Sequence, residues 1–266
     1  MCPCAGFPRP EFSPNLTVIM TLSPSRFVFA AWFVLLAATV SPAAEPAIIA
    51  KARAALGSAA ALDGLQTIHF TGHIDGGAGD TATVDILFKK PARQRIAIKS
   101  AKQNEITVLD GYDGWTRSED PKDPTRWQLK ILQKDEIKRL RANVWENFAY
   151  FRGLERRGGT VEDKGEVTVD GIACQRIAFI HAPNIVFNRC FERATGRLVL
   201  TETESGVTIR ESGEIIAGGI KFPKAISNSS KGADGKVSTA AITFDTITVN
   251  EAAADSLFAM PPMKGR

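Results

Sequence analysis

The 266-residue chain has little of what catalytic and metal sites are usually built from. It holds three histidines and four cysteines, and two of those cysteines, Cys2 and Cys4, stand at the very start. It contains no Gly-x-Ser-x-Gly nucleophile elbow, no His-Glu-x-x-His zinc pair and no Gly-x-x-x-x-Gly-Lys-Ser/Thr phosphate loop. Charge of neither sign dominates: 33 Lys and Arg face 29 Asp and Glu, a net of +4. The basic residues are scattered and form no stripe, which argues against nucleic acid as a partner. No apolar run reaches the roughly 20 residues that span a bilayer as a helix. With 44% apolar and 23% charged residues, the composition excludes a disordered, collagen-like or coiled-coil chain.

The longest apolar run, Phe27 to Val40, follows Arg26 and precedes the small-residue stretch Ser41-Pro42-Ala43-Ala44. This is the order of a secretory leader. Residues 1–43 are therefore expected to be a cleaved signal peptide with an over-extended start, Met20 being the expected initiator, and residues 44–266 one domain. No cysteine follows the apolar run where bacterial lipid attachment would need one.

After the leader, Ile48, Ile49, Ala52, Ala55 and Leu56 recur at helical spacing within 46–62. The period then changes to two. Ile68, Phe70 and Ile74, then Val84, Ile86 and Phe88, then Ile96 and Ile98, alternate with polar residues. Asp-Gly and Thr-Gly pairs mark turns. One helix interrupts the strands, with Ile137, Leu140, Val144, Phe148 and Phe151 on one face and Lys138, Arg139, Arg141 and Glu146 off it. The expectation is a mainly β (α+β) fold: one antiparallel sheet of about eleven strands, curved because so wide a sheet twists and curls. Its two helices would cover the concave face and leave apolar space between the layers.

Catalysis finds few parts. His69 and His73, four apart in an alternating strand, are separated by about 13 Å at 3.3 Å per residue and cannot share a metal. His181 falls near the expected hairpin tip at Ala182-Pro183-Asn184, and the carboxylate pairs Asp113 with Glu119 and Glu202 with Glu204 fall in turns or on exposed strand faces. No catalytic residue, metal site or cofactor is expected, and a hydrolase of unknown type is the remotest reading. The large aromatics Trp115, Trp127, Trp145 and Phe151 read first as packing.

Several short motifs share an order and spacing with a known family. They are the helix ending Ala55-Leu56-Gly57, the hairpin Gly111 to Trp115, Thr195-Gly196-Arg197-Leu198-Val199, Gly219-Ile220-Lys221-Phe222-Pro223, and the closing Phe244-Asp245-Thr246-Ile247 with Ser256-Leu257-Phe258. Over roughly 47–262 the chain resembles the LolA/LolB-like superfamily of periplasmic lipoprotein-sorting proteins. The resemblance implies an unclosed antiparallel half-barrel whose helices plug a hydrophobic cavity that holds acyl chains, in a Gram-negative-type periplasm. The missing lipid-attachment cysteine argues against the membrane-anchored receptor type. The partner so implied is an acylated ligand or lipoprotein, bound by a monomer. The expected cavity and cover residues are Val84, Ile86, Phe88, Ile96, Ile98, Ile137, Leu140, Val144 and Phe148. The same helix face packed as plain core is the competing reading. So is an envelope protein-binding module that uses a sheet edge, or a stretch such as Lys130 to Arg141, with no lipid cargo.

Cys174 and Cys190 each lie eight residues from Ala182. A hairpin centred there sets them opposite one another, as a disulfide in an oxidising compartment requires. A register one residue different makes them diagonal, buried and free.

Overall fold

Tight turns after each alternating segment leave successive strands only antiparallel pairing. The computed structural model describes residues 45–76, 81–232 and 235–262, so the expected leader lies outside the described residues. The elements run α1 Ala47–Leu56, α2 Ala59–Asp63, β1 Thr67–Asp75, β2 Thr81–Lys89, β3 Arg93–Ser100, β4 Asn104–Asp110, β5 Asp113–Asp120 and β6 Asp123–Ile131. They continue with α3 Lys134–Ala149, β7 Thr160–Val169, β8 Ile172–Ala182, β9 Ile185–Glu192, β10 Leu198–Thr203 and β11 Thr208–Ser212. The chain closes with β12 Ile215–Ala217, β13 Ile220–Phe222, β14 Ala225–Lys231 and β15 Val237–Val249.

Thirteen strands form one unclosed antiparallel sheet in the order β6-β5-β4-β3-β2-β1-β15-β14-β11-β10-β9-β8-β7, and β12 pairs with β13 apart from it. The expected count of about eleven is therefore too low. The separate β12–β13 ribbon adds two more strands of three residues each, too few for a period of two to register.

Register carries the apolar alternation straight across the strands. Phe70 pairs with Ile86 and Ile86 with Ile96, while Ile68 pairs with Phe88. These side chains share the face that carries the helices, where Leu62, Phe148, Ile220 and Phe222 join them in the main core. The opposite face buries a second cluster, Leu87, Val108 and Trp115 under Phe258 of the C-terminal segment. Beside the β-bulge at Thr71/Gly72, a Cβ on Gly72 would lie 2.1 Å from the Thr243 carbonyl oxygen, so only glycine fits.

The helix expected over 46–62 is two helices. Gly57 ends α1 and its backbone forms a β-bridge with Ile220, an approach so close that a Cβ there would sit 2.8 Å from Gly219 O. Ser58 then caps α2, its side chain accepting from Ala61 N. Helix α3 opens with a capping box, Gln133 N donating to Glu136 Oε2 at 2.7 Å. It stops before Phe151, because Tyr150 (φ 44°) and Phe151 (φ 75°) both adopt left-handed backbone. Since α3 follows edge strand β6 and precedes edge strand β7, the chain must cross the helix-bearing face of the sheet between them. No helix among the described residues is long and apolar enough to cross a membrane.

Candidate functional site: an apolar cavity with one polar end

A cavity of about 780 Å³ lies between the sheet and helices α1 and α3. Its strand lining runs from β3 (Ile96) to β9 (Arg189), seven strand spacings or about 34 Å if the sheet were flat. A single cavity reaches both sides because the sheet curls.

The lining changes character along that span. Strands β1, β2, β3, β14 and β15 contribute Phe70, Ile86, Ile96, Ile226, Ile242 and Phe244. Toward β9, β10 and β11 the lining turns polar, with Arg189, Arg197 and Glu211, and Glu214 and Lys221 add charges of both signs beside β12 and β13. Helix α3 presents Asn143, Glu146 and Asn147 to the cavity. Asn143 Nδ2 donates to Gln94 Oε1 at 3.0 Å, and Asn147 Nδ2 to Asn143 O at 2.8 Å.

At the polar end the buried carboxylate of Glu146, its side chain 4% exposed, accepts from Arg189 Nη1 and lies 2.5 Å from His181 Nε2. Burial alone would raise the Glu146 carboxyl. The Arg189 charge and the His181 hydrogen bond outweigh it and hold the group below the ordinary glutamate range. The Arg189 guanidinium also lies over the rings of Phe151, Phe179 and Phe187 at 5.1, 5.1 and 5.5 Å, which favours the cation through the ring quadrupoles. Glu211 lines the cavity, and the protein packed around it raises its carboxyl, an effect the Arg189 charge only partly offsets. Burial and the nearby Glu211 charge raise the Tyr150 phenol as well.

Below this end, Arg53 of α1 is buried and caps α3. Its Nη1 donates to Ala149 O at 3.0 Å and Tyr150 O at 3.1 Å, and its Nη2 pairs with Asp63 at 2.6 Å. A side-chain cation thereby takes up carbonyls that end a helix without partners.

Of the residues expected to form cavity and cover, Ile86, Phe88 and Ile96 line the cavity. Val84 is buried and Ile98 half-buried. Val144 and Phe148 belong to the main core, with Ile137 and Leu140 packed against it, so the apolar face of α3 meets sheet and helix while its polar edge meets the cavity. The Lys130 to Arg141 stretch is engaged with its neighbours. Lys130 pairs with Glu136 at 2.7 Å, Arg139 binds Asn184 O at 2.8 Å and also Glu204, and Arg141 donates to Gly111 O at 2.6 Å.

Among the aromatics, Trp145 packs edge-on to His181 at 5.2 Å and Trp127 lies under Arg117 at 4.8 Å. His69 and His73 take separate carboxylate partners, Asp85 at 2.9 Å and Asp245 at 3.5 Å. No group of three metal-ligating side chains occurs among the described residues.

The expected disulfide between Cys174 and Cys190 is corrected: both thiols are free and buried. The turn occupies Pro183-Asn184, so the hairpin is centred one residue later than Ala182. Cys174 consequently pairs with Glu192, and Cys190 with Arg176. The two cysteines are diagonal neighbours on one face, packed with Val199 and Leu200. His181 likewise belongs to β8 and not to the hairpin tip.

The polar end escaped the sequence reading although the alternation carries a trace of it. Ile185, Phe187, Arg189 and Phe191 share one phase, as do Ile177, Phe179 and His181. A charge or imidazole in the phase of a buried face marks a buried polar group in need of partners.

No family model matches the sequence, and no curated protein sequence matches it. Similar solved structures include a DUF1329 family protein from Desulfovibrio piger and a LolA superfamily protein from Nitrosomonas europaea. Each is 12% identical with a TM-score of 0.51, and the match covers 80% of this chain and 96% of the other. At that identity the likeness is one of architecture: the chain shares the fold of the LolA superfamily protein, a wide unclosed antiparallel sheet with helices on one face.

Proposed function

We propose that the protein binds an acylated ligand, a lipid or the acyl group of a lipoprotein, in the cavity between sheet and helices. It does so as a periplasmic carrier or sensor whose exported domain is 44–266. The observation that carries this reading is a cavity of about 780 Å³ between sheet and helices whose walls on β1, β2, β3, β14 and β15 are largely apolar, with Phe70, Ile86, Ile96, Ile226, Ile242 and Phe244. An acyl chain needs such a surface, since each CH₂ hidden from water contributes about 0.8 kcal/mol. The fold shared with a LolA superfamily protein, the LolA/LolB-like motifs and the leader-like N-terminus support the same reading.

Native mass spectrometry of the protein purified from a bacterial periplasm, with organic extraction of whatever travels with it, tests this. The expected result is a mass excess that resolves into a lipid or lipopeptide. A bare polypeptide mass that stays unchanged after incubation with lipids and lipopeptides would overturn the reading and move the function to an envelope protein contact.

A further inference from the structure

The helix-bearing face of the sheet changes chemistry between β3 and β4. Register carries one row of side chains across it, Phe70, Ile86, Ile96, Thr107, Thr116 and Lys130, each opposite the next. The row beside it runs Val84, Ile98, Glu105, Ser118 and Gln128. Both rows are apolar as far as β3 and polar from β4 onward. The apolar side chains of β4 to β6 point the other way, where Val108 and Trp115, with Leu129 packed against them, form a core with Phe258.

The polar stretch lines a second cavity, a recess of about 430 Å³ with Glu105, Thr116, Ser118, Gln128 and Lys130 on the strands and Glu136 at the start of α3. It adjoins the apolar cavity. Ile96 lines that cavity, and Ile98, two residues on, pairs with Glu105 of the recess, which sets Ile96 and Glu105 as diagonal neighbours about 7–8 Å apart.

The recess lining narrows what it could hold. Its cation is already matched, Lys130 Nζ lying 2.7 Å from Glu136 Oε1. Glu105 accepts from Gln103 Nε2 at 3.4 Å and pairs with no cation among the described residues, so an anionic head group would face an uncompensated carboxylate. The side chains of Ser118 and Gln128 make no hydrogen bond among the described residues. Neither residue is buried, so a ligand reaches both. A hydroxyl and a primary amide each donate and accept. An ammonium would use their acceptors alone and a phosphate their donors alone, whereas a sugar hydroxyl uses both, and Glu105 accepts from a further one. From β4 to β6 is two strand spacings, about 10 Å, room for a mono- or disaccharide.

We propose that the recess holds the uncharged sugar head group of an amphiphile whose hydrocarbon chain lies in the apolar cavity over β1 to β3. This rests on the acyl-binding reading above and adds to it the place and class of the head group.

The test is displacement of the uncharged apolar dye N-phenyl-1-naphthylamine from the purified protein at neutral pH. The competitors are dodecyl maltoside, a dodecyl glycol ether and dodecylphosphocholine, each below its micelle concentration, and free maltose. The maltoside should displace the dye at about tenfold lower concentration than the ether or the phosphocholine, the worth of one to two good hydrogen bonds. Ser118→Ala and Gln128→Ala should each remove part of that advantage and leave the ether unchanged; Gln128 is exposed on an edge strand, so its variant folds and decides if the other does not. Maltose alone should not displace the dye, and maltose that does so overturns the division between recess and cavity. Equal displacement by all three dodecyl compounds, or a maltoside advantage that survives both substitutions, overturns the head-group assignment and leaves acyl binding standing. A dye that does not bind, or that no competitor displaces, overturns both.

Discussion

Arg53 Nη1 lies 3.1 Å from the carbonyl oxygen of Tyr150, so the first helix of the domain closes the end of the third. Tyr150 holds left-handed backbone at this point, a conformation that a bulky side chain adopts only where its surroundings impose it. One buried cation thus fixes both the stop of α3 and the placing of a residue that lines the cavity.

Replacing Arg53 by methionine keeps most of the apolar stem and removes the donors. The variant should lose about 2–3 kcal/mol of stability, the cost of leaving buried carbonyls without a charged donor. Asp63→Ala should lose less than about 1 kcal/mol, since the Asp63 side chain is 68% exposed and exposed pairs contribute little. Urea denaturation of both variants checks the ranking; equal losses would show that the ion pair, not the helix cap, is what Arg53 supplies.

Glu146→Ala should cost about 3–5 kcal/mol, because it leaves the Arg189 charge buried without its carboxylate. The effect has a defined pH dependence. The folded-state pKa of Glu146 is depressed, so its stabilisation is complete above the unfolded value of about 4.3 and is lost as the pH falls through the lower folded value. Denaturation curves of the wild type and Glu146→Gln should therefore differ at pH 7 and converge in acid. A gap that widens in acid would contradict the assignment.

Cys174 and Cys190 should both be recovered as free thiols. Burial pushes the Cys174 thiol above its ordinary value, so little thiolate forms and alkylation of the native protein should be slow. Iodoacetamide labelling without reductant, followed by peptide mapping, should find both residues unmodified before denaturation and both alkylated after it. A cross-linked peptide pair would restore the opposed register.

Much of the fold was legible because register repeats the same apolar phase from strand to strand. Ile68, Phe70, Ile86, Phe88 and Ile96 read as one buried face and occupy one. What was hidden depends on distances that no local period encodes. β12 and β13 are too short to show alternation, and the turn that separates Cys174 from Cys190 moved by a single residue, enough to change their partners. The site was harder still. Glu146 reads as solvated because it lies off the apolar face of its helix, yet strands β8 and β9 bring His181 and Arg189 onto it. A sequence can show that Arg189 sits in a buried phase, but not which carboxylate 43 positions away meets it.

The unequal tethers of α3 govern how the cavity can be uncovered. On one side only Leu132 and Gln133 separate it from β6, and Leu132 N still bonds Gly114 O of β5 at 2.9 Å. On the other, residues 150–159 intervene before β7, anchored by the buried Phe151 and Leu154, and Arg53 holds their near end. Displacing the Tyr150 end of α3 would break the Arg53 contacts and the pairing of Glu146 with Arg189 and His181, while the two-residue link holds the other end to the sheet.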